Sequence, residues 1–558
     1  MEFSQLAILL VTAAMFGLLA KVFKQPLLIG FLFAGFFLVL TGIVDDVHQL
    51  EGFGQVGVAL LLFLLGLEMK LHELPTIGKP ALITGLGQII FTSTIGFIFS
   101  KIIGFGTIES LYIAIALTFS STIIMVKLLS EKKDLASLYG KISVGFLLVQ
   151  DFVAIMILIF LSALGNGGLG FVEYLTVAFK ALLLVLLVFA LSKRVLPKVF
   201  DKLIADNQEL LFVVSIAWAL GFASFVAGPM GFTLEIGGFL AGIALSGLPE
   251  HLQIATRARP LRDFFLTLFF IYLGTQLVIG SEVLSILVPG ILLSLFVLIG
   301  NPLIVIILLG FLGYKKRTAF LSGLTVAQIG EFSFILMAMG AALGHVQQNH
   351  VALVVFVGAV TMTSSTYMIL GADKLFKKLE RYLGVFEKRH TREGALAQET
   401  QLSGHVVLVG ADRTGTSLSK FLQKTNREYL IVDFNPAVFE RMSTQNANVV
   451  FGDIADSDII EAANIDKAKL VISTISHLED NLTLLEYINK LDNKPLTILT
   501  IPTRKDALKL YAAGATYVIV PDVVAGEHIS HLLEIHGYGE VTLSKIGKSH
   551  YERLAHAR

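Results

Sequence analysis

The sequence predicts a polytopic α-helical membrane protein that ends in a cytoplasmic α/β domain with a doubly wound parallel sheet. The 558 residues are 55% hydrophobic and only 15% charged, with a mean hydropathy of +0.77, well above the soluble norm. Up to about residue 371 the chain consists of apolar runs long enough to cross a bilayer, and after about 404 it changes to short β-branched runs alternating with helical stretches. Lysine plus arginine equal aspartate plus glutamate, at 43 each, so the total charge offers nothing to nucleic acid. With no cysteine, disulfides, thiolate metal sites and thiol sensors within the chain are excluded. The opening "MEFSQLAILL" has no basic leader and no small-residue cleavage site behind it, so the first apolar segment is expected to stay in the membrane.

About thirteen apolar segments of roughly 17–25 residues precede residue 372. They lie at 4–20, 27–43, 53–68, 80–103, 109–129, 141–164, 172–192, 208–227, 232–248, 263–279, 283–312, 318–343 and 350–371. Lys21 and Lys24, Lys70 and Lys79, Lys127 with Lys132 and Lys133, Lys193 with Arg194 and Lys198, Arg257 with Arg259 and Arg262, and Lys315 to Arg317 fall in alternate loops. By the positive-inside rule the N-terminus lies outside and everything after 371 is cytoplasmic. The expected domains are therefore a membrane domain at 1–371, a charged helical linker at 372–403, a Rossmann-like domain at 404–540 and a tail at 541–558.

The sixth segment contains "GFLLVQDFVAIMI", which places Gln150 and Asp151 in a run otherwise suited to lipid. Asp151 lies ten residues beyond Lys141, about 15 Å at 1.5 Å per residue, or half the membrane. An unpaired charge at that depth costs at least about 2.5–3.5 kcal/mol, and intramembrane acids mark ion or proton paths. A carboxylate that holds either a proton or a hard cation, K⁺ or Na⁺, and never both enforces exchange. The preceding segment carries "LTFSSTI", so Thr118, Ser120, Ser121 and Thr122 offer hydroxyl and freed carbonyl oxygens beside it. The twelfth carries "TVAQIGEFSFIL", where Gln328, Gly330 and Glu331 interrupt a span at its centre. The two interrupted segments are the middle members of triplets that start on opposite sides, as inverted repeats with a midplane site require. Asn301 is central in segment eleven, and Pro302 behind it disfavours helical geometry there. Glu235, after a short outer loop, and Glu68, near a cytoplasmic end, are expected near the interfaces.

These motifs, together with "FLAG" in segment nine and "RPLRDFF" in ten, resemble the Kef-type branch of monovalent cation:proton antiporters (the cation:proton antiporter-2 family). The resemblance implies a thirteen-helix sodium/proton-antiporter fold, a dimer, and an elevator-like core containing crossed helices five and twelve. It makes Asp151 the cation and proton carboxylate, with Gln150 as its neighbour and Thr118, Ser120, Ser121 and Thr122 on the crossing helix. Kef-type proteins are associated with K⁺ efflux. Many relatives have a lysine where this chain has Asn301, and electrogenic relatives have two adjacent acids where it has Gln150 and Asp151. With one carboxylate at that position and no lysine, electroneutral one-for-one exchange is expected.

In the cytoplasmic part, "VGADRTGTSL" follows the first strand, close to G-x-G-x-x-G but with Asp412 in place of the second glycine. That glycine lets backbone approach a pyrophosphate, so an acid there favours AMP or ADP over NAD(H). Gly410 and Gly415 remain, and Asp433 ends "YLIVD" where an acid bonds ribose hydroxyls. With "GDIADSDII" after strand three, the region resembles the TrkA-N (RCK) nucleotide-binding domain over about 404–530. That resemblance places Asp453 near adenine and ribose, and Arg413, beside Thr414 in the glycine loop, at phosphate or the partner subunit. A structural module without nucleotide stays open, as does the glutathione control known in Kef proteins.

The expectation is a homodimeric, nucleotide-regulated K⁺(Na⁺)/H⁺ antiporter of a prokaryotic plasma membrane, paired through both domains and surrounded by lipid. A ligand-gated K⁺ efflux channel is the alternative within transport. A membrane oxidoreductase using NAD(P)H is disfavoured by Asp412 and by the lack of a recognisable acid-base or redox pair near the loop, so the chain is not expected to be an enzyme. A transport-dead sensor fits poorly with an intact Asp151 among hydroxyls.

Overall fold

Lipid offers the backbone no hydrogen bonds, so apolar segments of this length fold as helices. The computed structural model describes residues 3–42, 48–68, 78–132, 134, 137–164, 179–180, 183–184, 186–200, 207–277, 283–387, 402–411, 413–425, 427–536, 543–548 and 551. Two compact units divide the chain, one reaching Glu387 and the other formed mainly by the residues after it.

In the membrane unit, twelve of the expected segments lie on described helices. Unbroken ones include Phe3–Val22, Leu27–Leu40, His48–Glu68, Gly78–Ile103, Leu138–Leu164, Gln208–Ala227, Leu234–Leu245, His251–Thr275 and Gln348–Leu370. Of segment 172–192, residues 172–178, 181–182 and 185 fall outside the described residues. Segments five and twelve are each split in two, as the polar clusters imply. Thr107–Ala116 and Thr122–Lys132 flank one break, and Lys316–Leu324 and Glu331–Ala342 flank the other.

Two differences from the sequence reading have physical causes. Arg257, Arg259 and Arg262 lie not in a loop but in the first half of helix His251–Thr275, which carries Pro260 inside it. Asn301 is itself helical, at φ −62° and ψ −48°. The disruption expected of Pro302 is absorbed one turn earlier, where Phe296–Gly300 widens into a π-helical turn between Val283–Leu295 and Asn301–Phe311.

Helix 234–245 lies against helix 48–68 with no room for side chains between them. A Cβ on Gly238 would stand 2.4 Å from the Ala59 carbonyl oxygen, and one on Gly242 2.0 Å from that of Phe63. Small residues four apart let two backbones approach this closely. The glycines of "EIGGFLAGI" therefore set this contact, and a buried apolar cluster including Leu60, Phe63, Leu67, Val226 and Leu245 surrounds it.

The membrane unit also includes residues 372–387 of the expected linker, as the amphipathic helix Ala372–Leu383 and the turn Gly384–Phe386. Asp373 pairs with Lys132 at the end of one broken helix and with Arg317 at the start of the other, each at 3.2 Å, and Glu380 pairs with Lys316 at 3.1 Å. Phe376 packs on the Phe320 ring at 5.8 Å between centroids.

The second unit is a six-stranded parallel sheet in the order β3-β2-β1-β4-β5-β6. The strands are Val406–Val409 (β1), Tyr429–Asp433 (β2), Val449–Phe451 (β3), Leu470–Ser473 (β4), Leu496–Thr500 (β5) and Tyr517–Ile519 (β6). Separate buried clusters contain Val407 and Val409 in one case and Val406 and Leu408 in the other. Alternating residues of β1 thus enter different cores, as expected when helices cover both faces of a sheet. The strand order reverses between β1 and β4, so the ligand crevice of this topology lies at their C-terminal ends.

Candidate functional site

The breaks of the two split helices cross. Gly330 N–H donates to the Phe119 carbonyl at 2.7 Å, and the Ser333 hydroxyl donates to the Ala116 carbonyl at 2.5 Å. A Cβ on Gly330 would lie 2.7 Å from Ser121 N and 2.8 Å from Ser120 C, so only glycine allows this approach.

Ending a helix inside a membrane strands its last carbonyls. Here side chains meet several of them. Asn301 Nδ2 donates to Leu117 O at 3.0 Å, and Gln88 Nε2 donates to Thr118 O at 3.3 Å. The freed carbonyls that the sequence offers as cation ligands therefore already accept hydrogen bonds.

These donors belong to one buried chain of polar groups. Thr92 Oγ1 donates to Asn301 Oδ1 at 2.8 Å, Gln88 Nε2 also donates to Thr92 Oγ1 at 3.1 Å, and Gln150 Nε2 donates to Gln88 Oε1 at 2.7 Å. Ser120 N–H closes it by donating to Gln150 Oε1 at 3.2 Å. Gln150 and Asn301 thus hold the crossing in place. Gln88 and Thr92 were not singled out by sequence, although two polar residues one turn apart in an apolar span were the available signal.

Asp151 lies beside this framework, 7% exposed. Its Oδ2 accepts from the Thr122 hydroxyl at 2.9 Å, at the N-terminus of half-helix 122–132, where the dipole favours an anion. Its Oδ1 takes no hydrogen bond among the described residues. Glu331 opens the opposite half-helix, is close enough to Asp151 for their charges to interact, and lies within the field of Arg262. Among the described residues, Glu331 Oε2, Ser120 Oγ and Gln328 Nε2 are buried without partners, a costly condition for protein polar atoms.

The remaining candidates have structural tasks. Thr118 Oγ1 turns back to Ile115 O at 2.7 Å, Ser121 Oγ accepts from Ile124 N–H at 3.3 Å, and Gln328 Oε1 accepts from Ser365 Oγ at 3.0 Å. The Glu68 side chain lies outside the described residues. Among the described residues the site thus combines a buried carboxylate with one free oxygen, a second acid opposite, and a rigid polar frame. An oxygen set of this kind holds a proton or a hard monovalent cation.

In the α/β unit, Gly410 adopts φ +85°, a conformation that glycine supplies without strain. A Cβ on Gly415 would lie 1.9 Å from Gly410 O, so the first and third glycines keep the close loop-helix packing of nucleotide folds. Asp433 holds this loop, since its Oδ2 accepts from Ala411 N–H and its Oδ1 from Asn435 N–H, both at 2.7 Å. Asp453 Oδ1 accepts from Ala455 N–H at 2.9 Å, and Thr414 is exposed at the start of helix Arg413–Lys424. Asp412 and the Arg413 side chain lie outside the described residues. Arg441, which the sequence did not mark, donates to Ala411 O at 2.9 Å and Thr416 Oγ1 at 3.2 Å, bringing a cation to the loop. The glycine cradle and this cation fit a phosphate-bearing ligand.

The geometry agrees with the comparisons to known proteins. Residues 8–370 match the sodium/hydrogen exchanger transmembrane family, and residues 406–521 match the TrkA-N domain. YbaL of Escherichia coli strain K12, named as a cation/proton antiporter, is 28% identical over 84% of this chain and 85% of its own. KefB of Alkalimonas amylolytica, named as a K⁺ efflux antiporter, is 26% identical over 87% of this chain and 74% of its own. The sodium proton antiporter MjNhaP1 of Methanocaldococcus jannaschii aligns in structure over 68% of this chain and 99% of its own, at 16% identity and a TM-score of 0.45. The chain is a multi-pass membrane transporter rather than an enzyme, and it belongs to the sodium/hydrogen exchanger family as a Kef-type member carrying a TrkA-N domain behind the exchanger.

Proposed function

We propose that the chain exchanges K⁺, or Na⁺, for H⁺ at Asp151, one for one, across a prokaryotic plasma membrane with its N-terminus outside. The carrying observation is the half-satisfied Asp151 carboxylate, one oxygen held by Thr122 and the other free, at the crossing of two broken helices. Left bare in the membrane that charge is costly, so the site moves with a proton or with a cation, and competition for it couples the two flows. Ser120 and Glu331, with unpartnered oxygens, complete the oxygen set, while Gln150, Asn301 and Gln328 shape it. Gln150, where a second adjacent acid would stand, supports electroneutrality. K⁺ as the cargo is supported by the names of KefB and of the K⁺ efflux antiporters 4 and 5 of Arabidopsis thaliana.

An adenine mononucleotide, AMP or ADP, binds at Gly410, Gly415 and Asp433 and regulates exchange in a homodimer. Helix 372–383 transmits the signal, and its support is Asp373, which ties together the ends of both broken helices.

The test is fluorescence of a pH dye trapped in proteoliposomes, with K⁺ or Na⁺ added with and without AMP. Wild type moves protons on cation addition and Asp151→Asn does not. A lasting current without proton movement would instead favour a ligand-gated K⁺ channel.

A further inference from the structure

A cavity of about 460 Å³ lies in the membrane unit at the helix ends away from the basic loops, lined by residues from six helices including Gln55, Glu235, Gln276 and Gln348. At about 30 Å³ per molecule it holds a dozen or more waters, enough for a hydrated cation. Glu235 is half-buried in the first turn of helix 234–245, where the helix dipole favours its negative charge. Among the described residues no hydrogen bond or ion pair reaches its carboxylate, and the side-chain amides of Gln55, Gln276 and Gln348 are equally uncommitted. The Thr233 hydroxyl, also in the lining, is buried without a partner among the described residues.

One wall of this cavity is formed by the half-helix that begins at Glu331. Ile335, Ala338, Met339 and Ala342 line it, and in helix 331–342 they continue the stripe that begins at Glu331. Ile335 stands one turn, about 6 Å, along that stripe from Glu331. We propose that Glu235, with Gln55, Gln276 and Gln348, forms an outer cation-collecting site that delivers hydrated monovalent cations along this stripe toward Glu331 and Asp151. The proposal rests on the exchange and orientation proposed above. A carboxylate in a watered, low-dielectric recess concentrates cations from bulk solvent, and the amides supply neutral oxygens that let them leave again.

Exchange is measured with K⁺ or Na⁺ chloride added to right-side-out and to everted membrane vesicles containing the full chain. Glu235→Gln is expected to raise the half-saturating cation concentration at the outer face by about three- to tenfold, leaving the maximal rate and the cytoplasmic-face value unchanged. Glu235→Asp is expected to restore the wild-type value, and choline chloride to shrink the difference by screening. An unchanged outer-face value, or an equal shift at both faces, would overturn the proposal. Failure of the exchange reading shows separately, as wild-type vesicles that do not exchange.

Discussion

Replacing Gly330 by alanine tests the crossing of the broken helices with a single methyl group. Gly330 has φ −115° and ψ −174°, an extended conformation that alanine adopts freely, so backbone strain plays no part. The new Cβ would instead lie 2.7 Å from Ser121 N, 2.8 Å from Ser120 C and 2.9 Å from Ser121 Cα, all backbone atoms. To reach ordinary contact near 3.4 Å, the two breaks must part by about half an ångström or more, loosening the 2.7 Å bond from Gly330 N–H to Phe119 O. Overpacking of this kind costs about 1–3 kcal/mol. It also moves Ser120 and Glu331 relative to Asp151, and displacements on this scale at a preorganised site cost about tenfold or more in rate. The assays are exchange in proteoliposomes and thermal unfolding in detergent. Gly221→Ala is the control, because nothing lies within 4 Å of its Cβ inside helix 208–227 and it should be neutral or slightly stabilising. Gly330→Ala with wild-type exchange and an unchanged Tm would refute the crossing as the determinant of the site.

Three further outcomes follow from other contacts. Asn301→Ala leaves Leu117 O without its side-chain donor and the Thr92 hydroxyl without its acceptor, so it should lower stability by about 1–3 kcal/mol, read as a lower Tm together with slowed exchange. Asp373→Asn removes the charge shared by Lys132 and Arg317; because Asp373 is half exposed, stability should change by less than about 1 kcal/mol, while the response of exchange to AMP is lost. His405, buried immediately before the central strand β1 with Nε2 facing Ala463 O, has its pKa pushed below the usual 6.5 by burial. The unfolded chain then binds the extra proton, so this contribution to the stability of that unit is present above about pH 6.5 and declines as the pH falls below it. His405→Gln should flatten that slope in pH-dependent unfolding.

The membrane spans were legible because the bilayer requires an apolar stretch of fixed length, and the split helices were legible because hydroxyls, amides and glycine interrupt two of those stretches. Asp151 stood out for the same reason, as a charge where none is cheap. The frame around it was not legible. Gln88, Gln150, Thr92 and Asn301 meet across separations of 62 and 209 residues, and no local pattern in a chain encodes such a pairing. Nor does spacing show that the carbonyls freed near Phe119 are taken up by Ser333, Asn301 and Gln88. The effect of Pro302 was displaced by one turn, because the helix widens into a π-helical turn before Asn301 instead of breaking there. Glu235 read as interfacial because sequence gives depth along a helix, not the cavity the residue faces. In the α/β unit, the doubly wound parallel sheet followed from the β-α rhythm, whereas Arg441 reaches the glycine loop only through the packing of helix Pro436–Thr444.

The central claim is that one carboxylate is contested by a proton and a cation. Its most direct test is proton release on adding K⁺ or Na⁺ to the purified full-length protein in weakly buffered detergent, followed with a pH-indicator dye. Wild type should release up to about one proton per chain, saturably, as the cation displaces it from the membrane carboxylate, and Asp151→Asn should release none. Equal release from the variant would place the exchange at another group and contradict the assignment of Asp151.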